Sequence, residues 1–262
     1  MTNIAVCIYF KKQKNLILSF INKTFGKGFF DEIITVDTGD QNLHCAINKL
    51  YEFSGYQYAL DVIYEKYKDK EVKVFFMNDT VFTEHVSILY REIAYCAPKE
   101  KSVNYVFGHT YNNINYSYIP TCFFVLYLSS FENQIKIVNE GLYDNWKSNR
   151  PIGNDYYIGT HRNKFRKNII NKLYPDSLFR GWYKFVPYLP PSMSLIKRKM
   201  LAIYMEHSMV NVLSEQNVCL IPLPLSMKIR FLLLLDKISI NLRKVKIRMW
   251  AYICKFSDRL LC

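Results

Sequence analysis

The sequence predicts an α/β fold in which a mixed, Rossmann-type sheet is flanked by helices and followed by a basic, amphipathic helical region. Two observations carry this prediction. Apolar β-type runs alternate with segments of helical spacing over the first eighty residues, and a long apolar stripe of helical period lies near the C-terminus. Half of the 262 residues are hydrophobic, which supports a sizeable core.

The first half of the chain reads as β-α-β-α-β, the order that produces parallel strands joined by crossover helices. Gly26 and Gly28 are expected to end the first helix, and the second helix is expected to be interrupted at residues 53–56. The predicted elements are strand 4–10, helix 11–25, strand 31–36, helix 46–67 and strand 72–77.

The following segment adds further strands and helices of less regular order. Its polar, Asn-rich part at 111–118 is expected to be a loop or an irregular hairpin. The predicted elements are helix 84–95, strand 103–108, strand 121–128 and helix 131–147.

The net charge of +13 indicates a negatively charged partner: nucleic acid, a nucleotide or an anionic membrane surface. Seven cysteines without a Cys-x-x-Cys pair predict reduced thiols, not a disulfide framework or a zinc site. The sequence shows neither a signal peptide nor an uncharged apolar window long enough for a membrane span. We therefore expect a cytoplasmic protein.

The C-terminal region from residue 226 concentrates the positive charge, with nine Lys or Arg, two Asp and a net charge of +7. An apolar stripe with basic flanks is typical of a helix that lies in an anionic membrane interface. The alternatives are a helix that packs on the domain and a coiled-coil dimer. Nucleic-acid binding is a weaker hypothesis, since no known nucleic-acid module accompanies the charge. The stripe comprises Phe231, Leu235, Ile238, Leu242, Val245, Met249, Ile253, Phe256 and Leu260.

Polar side chains follow two of the predicted parallel strands. Asp37 ends the second strand, and Asn78 and Asp79 follow the third. Ligands of open α/β sheets bind at this carboxyl edge, where these groups would meet a nucleotide and its diphosphate. The alternative is that Asn78 and Asp79 only cap a turn.

The motifs resemble those of the GT-A fold of family 2 glycosyltransferases, and more narrowly the rhamnan-synthesis branch of bacterial surface polysaccharide synthesis. The resemblance covers roughly residues 3–165 and rests on the order of the motifs. They are the strand 4–9, Ile33-Ile34-Thr35-Val36-Asp37, Ser54-Gly55-Tyr56-Gln57-Tyr58, Phe75-Phe76-Met77-Asn78-Asp79-Thr80, Gly108-His109-Thr110 and the strand from Thr121.

This resemblance implies a nucleotide-sugar site at the strand ends. Asp79 would hold a divalent cation, Mn²⁺ or Mg²⁺. The acceptor-side acid that the family usually has near residue 157 is replaced by Tyr156-Tyr157, so the nearest carboxylate, Asp155, would be the catalytic base, with Glu140 and Asp144 as competitors and a helix cap as its alternative role. The chain departs from the family in having one carboxylate in Asn-Asp-Thr and an amide at Gln57. The implied donor-binding residues are Tyr9, Asp37, Ser54, Gly55, Gln57, Asn78, Asp79 and His109.

The resemblance implies a glycosyltransferase, moving a hexosyl or deoxyhexosyl group from a nucleotide sugar to a lipid-linked glycan of O-antigen (lipopolysaccharide) or capsule biosynthesis. A GT-A-like catalytic domain would span residues 1–205. Residues 206–262 would attach it to the inner face of the cell membrane, with no role for nucleic acid. The alternative is a non-catalytic scaffold that binds a nucleotide or a partner in a polysaccharide assembly complex.

Overall fold

The computed structural model describes residues 1–9, 14–38, 52–83, 86–99, 103–113, 116–129, 134–137 and 193–260. Eight strands and six helices lie in this part of the chain. The strands are β1 (Thr2–Tyr9), β2 (Glu32–Asp37), β3 (Val72–Asn78), β4 (Tyr105–Gly108), β5 (Tyr111–Asn113), β6 (Tyr116–Tyr118), β7 (Phe123–Leu128) and β8 (Cys219–Pro222). The helices are α1 (Lys14–Phe25), α2 (Glu52–Tyr67), α3 (Asp79–Thr83), α4 (Ser87–Cys96), α5 (Met193–Ser214) and α6 (Met227–Leu260).

Six strands form one mixed sheet in the order β2-β1-β3-β7-β4-β8. The predicted β-α-β-α-β order is confirmed, because β1 pairs in parallel with both β2 and β3. Strand β7 is antiparallel to its neighbours β3 and β4, and β8 is parallel to β4. The polar stretch that follows β4 forms the small hairpin β5-β6, one of the two predicted possibilities.

The central strand β3 is buried along its whole length and separates two apolar clusters. Because successive side chains of a strand point to opposite faces of the sheet, Val72, Val74 and Phe76 pack in the cluster that includes α2 and α5. Phe75 and Met77 pack in the cluster that includes α1 and α4. Lys73 is buried among the latter and donates to the Pro98 carbonyl at 2.6 Å. A cation is favourable there because it meets carbonyls just past the C-terminal end of α4.

The predicted interruption of the second helix at residues 53–56 is wrong. Helix α2 runs without a break through Ser54 and Gly55, both of which are buried. A Cβ on Gly55 would lie 2.9 Å from Cδ1 and 3.1 Å from Cγ2 of Ile8. The glycine therefore serves close packing of the helix on β1, an effect that propensity alone does not reveal.

The helix predicted for residues 131–147 is wrong at 134–137, which are non-helical. Two glutamine side chains hold the main chain there. Gln57 accepts from the N–H of Ile137 at 3.0 Å and donates to the Ile135 carbonyl at 3.2 Å. Gln216 accepts from the Lys136 N–H at 2.8 Å and donates to its carbonyl at 2.6 Å. These bonds replace the local pairing that a helix would provide, and the rest of the predicted helix lies outside the described residues.

In the C-terminal region, α6 begins at Met227 and ends at Leu260. Its first turns pack on the domain through Ile229, Leu232 and Asp236, all buried. The domain boundary predicted at residue 205 falls within α5, and β8 beyond it belongs to the main sheet. Among the described helices, none combines the length and apolar character needed to cross a membrane.

Candidate functional site

The carboxyl ends of β1, β2 and β3 meet at one edge of the sheet, which we call the rim. The register pairs Tyr9 with Asp37 and Ile8 with Asn78, so Asp37 and Asn78 flank the end of β1. Two inter-strand spacings separate their backbones, about 10 Å. The strand-end groups predicted from the sequence are thus brought to one edge.

Asn78 caps the short helix that follows it. Its Oδ1 accepts from the N–H of Thr80 at 3.1 Å and also from the Thr80 hydroxyl. This is the turn-capping role considered from the sequence for Asn78. The Asn78 N–H in turn donates to the Cys122 carbonyl at 3.2 Å, which ties the end of β3 to the start of β7.

Asp79 is the first residue of α3 and is partly exposed at the rim. Within the described residues, no three His, Cys, Asp or Glu side chains group as a metal site. A Mg²⁺ or Mn²⁺ ion commonly uses one or two carboxylates and completes its shell with substrate phosphates and water. The donor set fits a cation held jointly by Asp79 and a bound diphosphate.

Two carboxylates meet at one hydroxyl group beside the rim. The Oγ1 of Thr121 lies 2.9 Å from Oε2 of Glu206 and 3.1 Å from Oε1 of Glu52. One hydroxyl carries one proton, so bonding to both carboxylates requires a second proton on one of them. The Thr121 hydroxyl therefore links the carboxyl groups of Glu206 and Glu52, one of which is protonated when both bonds form.

The carboxyl group of Glu206 has a pKa above the ordinary value of 4.5. Burial raises the pKa of its carboxyl to about 7, a net value that also includes opposing hydrogen bonds from Thr121 and a smaller upward contribution from the charge of Glu52. The Thr121 N–H donates to Oε2 at 3.1 Å. The residue as a whole is partly exposed, while its carboxyl is buried where it bonds to Thr121 and changes protonation near neutral pH.

A row of aromatic rings lies on the β5-β6 hairpin and reaches α5 beside Glu206. Tyr118 stacks on His207 at 4.1 Å and on Tyr111 at 5.4 Å between ring centroids. His109 meets the edge of Tyr111 at 4.6 Å. Burial lowers the pKa of His109, so the imidazole is neutral at physiological pH. Tyr111 is 46% exposed, so part of its side chain is accessible to a ligand.

The remaining predicted donor-binding residues lie near the rim but differ in exposure. Tyr9 is buried and its carbonyl accepts from the N–H of Thr38 at 2.8 Å. Ser54 and Gly55 are buried in the first turn of α2, and Gln57 holds the segment 134–137. Asp155, with its competitors Glu140 and Asp144, lies outside the described residues.

Sequence reasoning missed Glu206 and Thr121. Glu206 is a lone acid in the stretch from Leu201 to Val210, where most side chains are buried. A carboxylate in such a stretch is costly without a partner, which is the signal that could have identified it. Its partner Thr121 is 85 residues away, a pairing that only the fold reveals.

No protein-family model, curated protein or solved structure matches this chain.

Proposed function

We propose that the protein is a glycosyltransferase that moves a sugar from a nucleotide-sugar donor to a hydroxyl acceptor. The observation that carries the proposal is the placement of Asp37 and Asp79 along one rim. Glu206, whose carboxylate bonds to the Thr121 hydroxyl, lies beside this rim. The mixed sheet and the order of motifs agree with the GT-A fold that the resemblance implies.

The donor would lie across the end of β1. Asp37 is suited to accept hydrogen bonds from the base or the ribose. Asp79 directly follows Asn78, whose backbone lies about 10 Å along the rim from Asp37, and would meet the diphosphate. The dimensions of a nucleoside diphosphate match this separation. A divalent cation bound with Asp79 would neutralise the diphosphate charge.

Glu206 is suited to receive the acceptor proton. In the transfer, the acceptor oxygen forms a bond to the anomeric carbon, and the bond from that carbon to the diphosphate oxygen breaks with its electron pair. The hydroxyl proton passes to the ionised Glu206 carboxylate. A base with a pKa of about 7 combines a substantial ionised fraction with useful basicity at neutral pH.

Asp155 stays a prediction for the same role, so the two acids are competing candidates. The charge of Glu206 contributes, after burial and the charges of Cys122 and Asp236, to the raised pKa of Tyr111, so the two side chains are near each other. The exposed part of Tyr111 would give the acceptor sugar an apolar surface there. The acceptor we propose is a lipid-linked glycan of a bacterial surface polysaccharide, handled at the inner face of the cell membrane.

The second candidate function is a scaffold that binds a nucleotide without turning it over. The side chains of Asn78 and Gln57 favour it, because both are engaged in structural hydrogen bonds within the chain. The two candidates share the nucleotide site and differ in whether Glu206 exchanges a proton with a substrate.

The test begins with thermal shift in a panel of nucleoside diphosphates and nucleotide sugars, with and without Mn²⁺. A ligand that binds only the folded state raises the melting temperature by mass action. We expect a shift with one base class that is lost in Asp79→Ala. The matched control is Asp69→Ala, which removes an exposed aspartate from the α2–β3 turn.

Donor hydrolysis separates the two candidates. We expect turnover to rise with pH through about 7 and to fall by roughly a hundredfold in Glu206→Gln, the usual contribution of a general base. Binding without any turnover would favour the scaffold. No thermal shift with any nucleotide would refute both.

A further inference from the structure

The outer face of α6 is apolar and exposed over about 33 Å of helix. Its side chains have exposed fractions from 38% at Leu235 to 82% at Met227. The face consists of Met227, Phe231, Leu235, Ile238, Leu242 and Met249. Contiguous apolar patches of this kind mark interaction sites.

The domain uses the other side of the same helix. Ile229, Leu232 and Asp236 are buried and lie about 130° around the helix from the outer face. Asp236 accepts from the N–H of Val86 at 2.7 Å, and Lys228 pairs with Glu92 at 2.6 Å. The outer face, from Met227 to Met249, is therefore not the surface that attaches α6 to the domain.

We propose that the outer face of α6 docks on the surface of an anionic lipid bilayer, with the helix axis parallel to the membrane plane. Exposed Arg230, Lys237 and Lys246 border the apolar face and would meet lipid phosphates while the stripe enters the acyl boundary. This proposal rests on α6 alone and holds whether or not the rim carries out sugar transfer.

Charge argues against a second copy of the chain as the occupant. Residues 226–262 carry nine basic and two acidic side chains, and Asp236, one of the two acids, is buried. Two such helices would bring like charges together along both edges of a shared apolar seam. An anionic surface matches the same edges without repulsion.

Docking would also bring the rim towards the lipid. The carboxylate of Asp236 lies close enough to Cys122 and Tyr111 for its charge to contribute to their raised pKa values, which burial raises first. Asp236, on the inner face of α6, therefore lies on the side of the domain that carries the β7 start and the hairpin. An acceptor anchored in the bilayer would meet the site from this side.

The experiment is flotation of the full chain with two kinds of vesicle, phosphatidylcholine alone and an equimolar mixture with phosphatidylglycerol. We expect flotation only with the anionic vesicles. The double variant Leu242→Gln/Met249→Gln changes two exposed apolar side chains of the outer face, and we expect its partition coefficient to fall by about tenfold or more. Its control is Leu16→Gln, an equally exposed leucine on α1, which should float as the wild type does.

A charge variant tests the contribution of the basic side chains that border the outer face. Lys237→Glu/Lys246→Glu should abolish flotation. The control Lys23→Glu/Lys27→Glu changes the net charge by the same amount in the N-terminal part of the chain and should retain flotation. Wild type that stays at the bottom with both vesicles would overturn the proposal. So would a wild-type dimer in light scattering that Leu242→Gln/Met249→Gln dissociates, because a second copy would then cover the face. Nucleotide-dependent thermal shifts are measured separately, so failure of docking and failure of the proposed transfer are distinguishable.

Discussion

The carboxylate of Asp236 accepts a hydrogen bond from the main-chain N–H of Val86, 150 residues earlier in the chain. Val86 is the N-cap residue of α4 and has no side-chain cap of its own. Asp236 therefore supplies from α6 the acceptor and the negative charge that a helix N-terminus favours. This bond joins the C-terminal helix to the segment that follows the rim.

We expect Asp236→Ala to lower the free energy of unfolding by about 1–2 kcal/mol, because the N–H of Val86 loses its acceptor. Asp236→Asn keeps an oxygen at this position and should cost less. Urea denaturation measures both, with the exposed Asp69→Ala as control. Equal losses in Asp236→Ala and the control would show that the cap contributes nothing specific.

Glu206 should make stability depend on pH. Its folded pKa of about 7 exceeds the ordinary value of 4.5, so the folded protein retains a proton that the unfolded chain releases. This contribution is complete below pH 4.5 and is lost as the pH rises through 7, up to about 3 kcal/mol.

Glu206→Gln should flatten this part of the stability curve between pH 5 and 8, where denaturant midpoints would be compared. Glu215→Gln, on an exposed residue just after the same helix, should leave the slope unchanged. A wild-type curve that rises with pH across this window would contradict the assignment.

Gly55→Ala should destabilise the protein by about 1 kcal/mol, since overpacking against Ile8 outweighs the gain in helix propensity. Ile8→Val removes the Cδ1 that lies 2.9 Å from the new Cβ, so the double variant should lose less than the sum of the single ones. Gly28→Ala is the control: its φ of 80° causes backbone strain that Ile8→Val cannot relieve. Full additivity of Gly55→Ala with Ile8→Val would refute the contact.

Gln57→Ala should release the segment 134–137 and cost about 2 kcal/mol, one for each main-chain hydrogen bond lost. Hydrogen exchange at the Ile137 amide should accelerate, while the affinity for a nucleotide ligand should not change. Loss of nucleotide affinity without faster exchange would instead assign the amide to donor binding, the role that the family resemblance implies.

The sequence was sufficient to predict the parallel part of the sheet, because the periods of its apolar residues are local properties. The positions of Asp37 and Asp79 at one edge followed from the same order of strands. The continuity of α2 through residues 53–56 could not be predicted from the sequence, since the role of Gly55 depends on its contact with Ile8 of β1. The conformation of 134–137 depends on side chains from α2 and from beyond α5, which local propensity cannot register.

Glu206 shows the same limit within the candidate site. Its residue type and apolar neighbourhood are visible in the sequence, but its bond to Thr121 and its approach to Glu52 arise from tertiary packing. The roles of the predicted donor-binding residues stay predictions that the nucleotide titrations address.

The last buried side chain described on α6 is Asp236, and none of the described side chains from 237 to 249 is buried. The backbone of the helix continues for about 36 Å beyond that point. A chain shortened after residue 240 would therefore keep every buried side chain of the described core, including the cap on α4. With such a shortened protein, the folding of the domain could be measured separately from the behaviour of the C-terminal part of α6. It would be the preferred material for crystallisation.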